Sequence, residues 1–234
     1  MKRKTPKPRR RILILDIGGT HVRASLTSPV RSFRIVSGPT MDPQTMLRKI
    51  RKWLKGERFD AVSVGYPGPV LRGRIIHDPA NLGKGWVGFD FEKAFRRPTQ
   101  VINDAAMQAL GSYEGGKMLF LGLGTGLGTT MIIDGEIEPM ELAHLPYKKG
   151  KSFEDYVGEK GRRRLGRKKW AKEVFEVVKR LSDALEPDYV VLGGGNVRKL
   201  KVLPPGARRG DNSRAIVGGV RLWSPARIRA KNLS

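Results

Sequence analysis

Two glycine–threonine loops stand about a hundred residues apart, and each directly follows a short apolar run. Residues 11–20 read R-I-L-I-L-D-I-G-G-T and residues 118–128 read M-L-F-L-G-L-G-T-G-L-G. Residues without a Cβ let a chain turn tightly and bring its backbone N–H groups up to an anion. One such loop is ordinary punctuation after a strand. Two of them, the first with Asp16 at the strand end, predict a cleft with a phosphate loop on each wall. This points to phosphoryl transfer.

The 234 residues suffice for one large domain or two lobes with a substantial core. There is no cysteine, which excludes disulfides and thiolate metal sites and is compatible with a reducing cytoplasm. No apolar stretch reaches the roughly 18 residues of a membrane span. The charged N-terminus has no apolar segment behind it, so no secretory signal is read there. A soluble, cytoplasmic protein is expected. Forty-six Lys and Arg against 22 Asp and Glu leave a formal charge of +24. Such an excess attracts polyanions, and composition alone does not choose among nucleic acid, an acidic surface and a long inorganic anion.

Residues 1–10 hold six basic residues and two prolines, the composition of a disordered arm. From residue 11 the pattern is strand, glycine loop and a second strand over 21–26. Asp42-Pro43 is an N-cap followed by proline at the first helical position, ahead of Met46, Leu47, Ile50, Trp53 and Leu54 on one face. A strand over 59–65 ends in Y-P-G-P turn chemistry. Residues 81–90 form a glycine-rich loop. A strand over 99–102 delivers Asn103-Asp104, and a helix follows to about residue 113. After the second glycine loop, a strand over 129–133 meets the hairpin turn Asp134-Gly135. An amphipathic helix over 168–185 carries Trp170, Val174, Val177, Leu181 and Leu185. A strand over 189–192 ends in Gly193, Gly194 and Gly195, and a last helix starts near Ala215. The alternation predicts two α/β lobes facing a cleft: residues 11–107, residues 108–214, and a C-terminal segment from 215 whose helix returns to the first lobe.

Phosphoryl transfer to an alcohol needs phosphate positioning, charge neutralisation and a base beside the attacking hydroxyl. Asp104 is the candidate base, at the carboxyl end of a strand where α/β sites lie, with Asn103 beside it to hold a hydroxyl. The plain alternative for Asp104 is a helix cap. Asp16 suits a hydrated Mg²⁺ next to the first loop, or is a strand-end turn carboxylate. Glu141 and His144 are three apart; without thiolates or a further ligand cluster they read better as hydrogen-bonding groups for sugar hydroxyls than as zinc ligands. Glu154 is either a third polar contact or a first-turn helix acid.

Six ordered motifs, L-D-I-G-G-T, N-L-G-K-G-W, V-I-N-D-A, G-L-G-T-G-L-G, D-G-E-I-E-P-M-E-L-A-H and V-L-G-G-G-N, resemble those of the ROK-type sugar kinases. Within these, the chain is most similar to the polyphosphate-using glucokinase branch. The resemblance spans roughly residues 11–223 and implies an actin-like, ribonuclease-H-like two-lobe α/β fold. By motif it implies a first phosphate loop of Asp16, Gly18, Gly19 and Thr20 and a second of Gly124, Thr125 and Gly126. Gly193, Gly194 and Gly195 would flank a nucleotide or other donor. Asn81, Asn103, Glu141, His144 and Glu154 would hold glucose, and Asp104 would take the proton of its 6-hydroxyl. Mg²⁺ is the implied cofactor. The family's cysteine-rich zinc motif is absent, so no zinc is expected. Relatives are commonly dimers, which leaves a homodimer open.

Residues 160–169 read K-G-R-R-R-L-G-R-K-K, seven basic residues in ten. This is either a solvated helix entry or a path for a linear polyphosphate. Arg164, Arg167, Lys168 and Lys169 are the candidates for such a path, since the polyphosphate-using branch shows a similar segment. The expected reaction is transfer from polyphosphate, or also ATP, to the 6-hydroxyl of glucose. The alternatives are an ATP-dependent hexokinase of the same family, and a non-catalytic polyanion binder on the same scaffold. Nucleic acid is expected to bind only non-specifically, because the 17 aromatics are scattered rather than laddered.

Overall fold

The computed structural model describes residues 10–79, 81–211 and 213–224, so residues 1–9 of the basic arm and the tail from 225 lie outside the described residues. The chain runs β1 (Ile12–Ile17), β2 (His21–Thr27), β3 (Val30–Val36), α1 (Pro43–Leu54), β4 (Ala61–Tyr66), a small hairpin of β5 (Val70–Leu71) and β6 (Arg74–Ile75), α2 (Phe91–Phe95), β7 (Thr99–Asn103) and α3 (Asp104–Ser112). It continues through β8 (Lys117–Leu123), β9 (Leu127–Ile133), β10 (Glu136–Met140), a second small hairpin of β11 (Pro146–Lys148) and β12 (Lys151–Ser152), α4 (Phe153–Val157), α5 (Glu159–Leu185), β13 (Tyr189–Gly193), β14 (Ala207–Arg209) and α6 (Arg214–Arg221).

The strands form two five-stranded sheets, ordered β3-β2-β1-β4-β7 and β10-β9-β8-β13-β14. Each has the same build: two antiparallel hairpin connections on one side of the first strand, and two parallel neighbours on the other. The glycine loops join the first and second strands of each sheet, so the sequence repeat is a topological repeat. The fold is the two-lobe α/β architecture expected.

Strand alternation decides what covers each face. Along β1, Leu13, Leu15 and Ile17 pack with Met46, Leu47, Ile50 and Leu54 of α1. Burying each such side chain contributes about 1.5–3 kcal/mol relative to exposure. Asp42 caps α1 as the sequence predicts, its Oδ1 accepting from the Thr45 N–H at 2.6 Å. The other face of β1, Ile12 and Ile14, packs with Ala215 of α6 and Met107 of α3. Along β8, Leu119, Leu121 and Leu123 pack with Trp170, Val174, Val177 and Leu181 of α5, while Met118 and Phe120 pack with Ala105, Ala109 and Leu110 of α3.

The two helices that leave the last strands are thus exchanged. α3 leaves the first sheet and lies mainly on the second, keeping Met107 on the first, and α6 leaves the second and lies on the first. They cross through glycines: a Cβ on Gly111 would lie 1.8 Å from the Arg214 carbonyl oxygen, and one on Gly218 would lie 1.8 Å from that of Met107. Ser63 Oγ donates to the Gly219 carbonyl at 2.6 Å and accepts from Trp223 Nε1 at 2.8 Å, fixing α6 to β4.

Two of the longer elements differ from expectation. α5 begins at Glu159 rather than near 168, and it is broken at Gly166, whose φ of 72° and ψ of 162° are non-helical. The basic run therefore occupies a first helical segment, a glycine break and the start of a second. β3 carried no sequence signal, because all but one of its residues are exposed or only partly buried. Among the described residues no helix is long and apolar enough to cross a membrane.

Candidate active site

Asp16 continues the face of β1 that carries Ile12 and Ile14, where α6 no longer covers the sheet. It stands in register with Arg23 on β2 and Gly65 on β4. Gly65 brings the next element close: a Cβ there would lie 3.4 Å from the Asp104 Cα and 2.5 Å from the Met107 methyl. From the opposite lobe, a Cβ on Gly128 of β9 would lie 2.7 Å from the Ala105 Cβ. The first turn of α3 is therefore wedged between a glycine of each sheet, which places Asp104 at the meeting point of the lobes.

The electrostatics follow from this placement. Burial pushes the Asp104 carboxyl up to about 7, and the Asp16 carboxylate is the next cause; backbone N–H groups oppose and Glu141 adds to it. Burial likewise pushes Asp16 up to about 6, opposed by Arg23. Asp16, Asp104 and Glu141 thus share one electrostatic neighbourhood, although they come from three separate stretches of chain. A carboxyl poised near neutrality in a cleft is a functional-site signature.

Asn103 is the N-cap of α3, a role that the sequence offered to Asp104. Its Oδ1 accepts from the Ala105 and Ala106 N–H groups at 2.9 and 3.2 Å, and its Nδ2 donates to the Gly68 carbonyl at 3.1 Å. Asp104 Oδ1 also receives the Ala105 N–H, at 2.8 Å. Capping and site geometry thus reside in the same pair of residues, and one N–H of the Asn103 amide remains for a ligand.

The first loop is held by the Gly18 N–H donating to His21 O at 2.9 Å and by Ser37 Oγ donating to Gly18 O at 2.7 Å, with Thr20 exposed. Asn81 lies against it, its Cβ 3.0 Å from where a Gly19 Cβ would be. Asn81 is placed by a device the sequence reading missed. The Asp78 carboxylate accepts from the Trp86 N–H at 2.8 Å and, at longer range, from those of Gly85 and Val87. Trp86 is fully buried against Tyr66 and anchors the far end of this loop. The Asp-Pro dipeptide ahead of the glycines was the available signal.

The second loop is held from three sides. Asn196 Nδ2 donates to Gly124 O at 3.0 Å, the Glu159 N–H donates to Thr125 O at 3.2 Å, and Glu154 Oε2 accepts from the Leu127 N–H at 3.0 Å. Gly126 has no Cβ to collide with that Glu154 carboxylate. Glu154 therefore sits on the second glycine loop, in the first turn of α4. Gly193 lies against the Phe120 ring of β8 and Gly194 against the entry to the same loop: a Cβ on Gly194 would lie 2.4 Å from Leu123 O, and its φ of 81° is the left-handed geometry that favours glycine. Gly195 follows at the exposed turn.

Glu141 and His144 bracket a 3₁₀ turn, Leu142–His144, tied to β9 by the Leu142 N–H donating to Thr129 Oγ1 at 3.2 Å. Both side chains are exposed, and His144 makes no hydrogen bond among the described residues. Two arginines of the basic run are held by backbone carbonyls. Arg164 donates to Asp155 O at 2.8 Å and lies over the Tyr156 ring, and Arg167 donates to Lys199 O at 2.6 Å. Lys168 and Lys169 are exposed.

The Asp16 carboxylate, with the Asp104 carboxyl in its electrostatic neighbourhood, offers the hard oxygen ligands that a divalent cation takes. Among the described residues no three acidic, histidine or cysteine side chains form a metal cluster, so water and donor phosphates would have to complete its coordination.

The sequence model of the ROK family matches residues 12–139, more than half of the chain. The chain belongs to the ROK family. Among curated relatives, the polyphosphate glucokinase of Mycobacterium tuberculosis is 27% identical, over 79% of this chain and 77% of its own length. In fold the chain is similar to the inorganic polyphosphate/ATP-glucomannokinase of Arthrobacter sp. strain KM, with a TM-score of 0.74 and 24% identity over 90% of this chain and 97% of that one. It is also similar to a ROK glucokinase of Streptomyces griseus solved with glucose and AMPPNP, with a TM-score of 0.68 and 16% identity over 91% and 98% of the two chains.

Proposed function

We propose that this chain transfers a phosphoryl group from inorganic polyphosphate, and from ATP as a second donor, to the 6-hydroxyl of glucose. One observation carries the proposal: Asp104, its carboxyl raised to about 7, stands where a glycine of each sheet, Gly65 and Gly128, meets the first turn of α3, with the Asp16 carboxylate in its electrostatic neighbourhood. The named activities of these relatives support the donor and the sugar.

In this reading Asp104 accepts the proton of the 6-hydroxyl as that oxygen attacks the terminal phosphorus. The bond from phosphorus to the bridging oxygen breaks, and the donor leaves one phosphate shorter. A base near pH 7 is matched to this task. Gly19, Thr20, Thr125 and Gly126 offer backbone N–H groups to the donor's oxygens, while the Gly18 and Gly124 N–H groups, bonded to His21 O and Gly126 O, shape the two loops. Glu141, His144, Asn81, the free N–H of Asn103 and the second oxygen of Glu154 hold the sugar hydroxyls. Asp16 would hold Mg²⁺, which when bound offsets negative charge on the phosphates. Lobes of residues 11–107 and 108–214, with the segment from 215 returning to the first, would close over the sugar about α3.

The test is to incubate the purified protein with glucose, Mg²⁺ and either polyphosphate or ATP, and to measure glucose 6-phosphate. Product with polyphosphate is expected. Absence of product with both donors would overturn the proposal, and product with ATP alone would remove the polyphosphate donor. The net charge of +24 favours a second reading, polyanion binding without catalysis. Tight, salt-sensitive binding with no product would select it.

A further inference from the structure

The run at 160–169 is not the molecule's one basic feature. A cavity of about 640 Å³ opens beside Asp16 on the face of the first sheet that α6 leaves uncovered. Its charged wall is built from both lobes. Arg23 of β2 and Arg34 of β3 are cross-strand neighbours in line with Asp16. Facing them are Arg198, on a 3₁₀ turn spanning Val197–Lys199, and Arg209 at the end of β14. Four arginines thus line one cavity from sequence positions up to 186 residues apart (209 less 23). Two carboxylates share the wall, Asp16 and Asp211, and Asp211 is occupied by the Ser213 N–H at 2.6 Å.

Arg209 is committed to the fold, donating to the Val197 and Leu200 carbonyls at 2.8 and 3.0 Å, and it still presents its charge. Arg34 and Arg198 are exposed, and Arg34 reaches the His21 ring beside the first glycine loop. The cavity also touches the other donor element, through Gly194. Its outer rim meets the basic run, because Arg167 donates to the carbonyl of Lys199, the neighbour of Arg198. A track of positive charge therefore leads from Asp16 through the arginine cavity to the start of the second segment of α5.

We infer that this arginine-lined cavity holds the distal phosphates of a linear polyphosphate, with Arg34 and Arg198 gripping the chain from opposite lobes. The inference rests on the phosphotransfer reading and names the part of the donor that this surface takes. Guanidinium groups suit it because each offers several donors in a planar fork to phosphate oxygens, and a concave basic wall focuses its field. In this inference a short donor is held at the glycine loops and only a longer chain engages both arginines at once. A long chain spans the lobes, so the cavity sets a preference for length and not for a nucleoside.

The test uses the full chain with Arg34→Gln, Arg198→Gln and the double variant. Lys49→Gln serves as a control, since that exposed lysine lies on α1 against the opposite sheet face. Binding of long-chain polyphosphate, tripolyphosphate and ATP is measured without glucose, over a range of salt. Glucose-dependent KM and kcat are then measured with each donor. The double variant should weaken long-chain binding and raise its KM by roughly tenfold, the product of two exposed charge contacts. It should leave kcat, and the short donors, within about twofold. Arg→Lys at both positions should restore part of the loss, and Lys49→Gln should change nothing. Equal effects on long and short donors, or no effect of the double variant, overturn the inference even if the enzyme phosphorylates glucose. Selective loss of long-chain binding in a protein that makes no sugar phosphate supports the cavity and overturns the catalytic reading.

Discussion

Asp104 is costly to the fold, and that cost is measurable. Its carboxyl is raised from 3.8 to about 7, so between those values the folded protein binds more protons than the unfolded chain. Stability from this group therefore falls as pH rises through that window. Asp104→Asn, which cannot ionise, should be no more stable than the parent near pH 4. It should gain progressively to above pH 7, by up to about 4 kcal/mol if the whole shift is recovered. In a chain of this size that is several degrees in Tm, read by thermal melts at pH 4 and pH 8. The same ionisation governs catalysis in the proposed mechanism. kcat/KM for glucose should rise with pH up to about 7 and level off above it, as a base that must lose its proton requires. A flat profile between pH 5 and pH 8 would argue against Asp104 as the base.

At the scale of elements, glycines decide where the catalytic helix sits. Gly128→Ala places a Cβ 2.7 Å from the Cβ of Ala105, a contact that no flexible side chain can relieve. The first turn of α3 must shift, so kcat should fall at least about tenfold, because positional errors near 1 Å cost on the order of 100-fold. Gly166→Ala makes a different case: nothing lies within 4 Å of its Cβ, yet φ of 72° with ψ of 162° is a conformation open essentially to glycine alone. It should lose about 1–3 kcal/mol of stability, seen as a lower Tm, with the chemistry at Asp104 untouched.

Elements also show how far the sequence could be read. The strand–glycine pairs, the Asp42-Pro43 cap and the Trp170–Leu181 stripe were legible because each is a local pattern with a local cause. β3 was not, since an edge strand with little burial lacks alternation. The first segment of α5 was not, since residues 159–165 are mostly charged and its only deeply buried position is a glycine. Candidate residues were legible as types at strand ends. Their company was not: the register that sets Asp16 against Gly65, and the distant arginines of the cavity, exist only once two sheets have paired.

For the whole molecule, the repeated sheet order and the exchange of α3 and α6 make each lobe depend on a helix from the other. Gly218→Ala adds a Cβ 1.8 Å from the Met107 carbonyl oxygen at the crossing of those helices. Overpacking of a rigid contact costs about 1–3 kcal/mol, and here it should lower Tm by several degrees. The formal charge of +24 belongs to this scale too, drawing a polyanionic donor toward a cleft whose floor is acidic. The central claim, that Asp104 at the meeting of the lobes abstracts a sugar proton, is tested most directly by one comparison. Initial rates of glucose 6-phosphate formation from saturating polyphosphate are measured for the wild-type chain and for Asp104→Ala at pH 8. A loss of about 10²–10⁴-fold in kcat with the fold retained is predicted; a variant within a few-fold of wild type would contradict it.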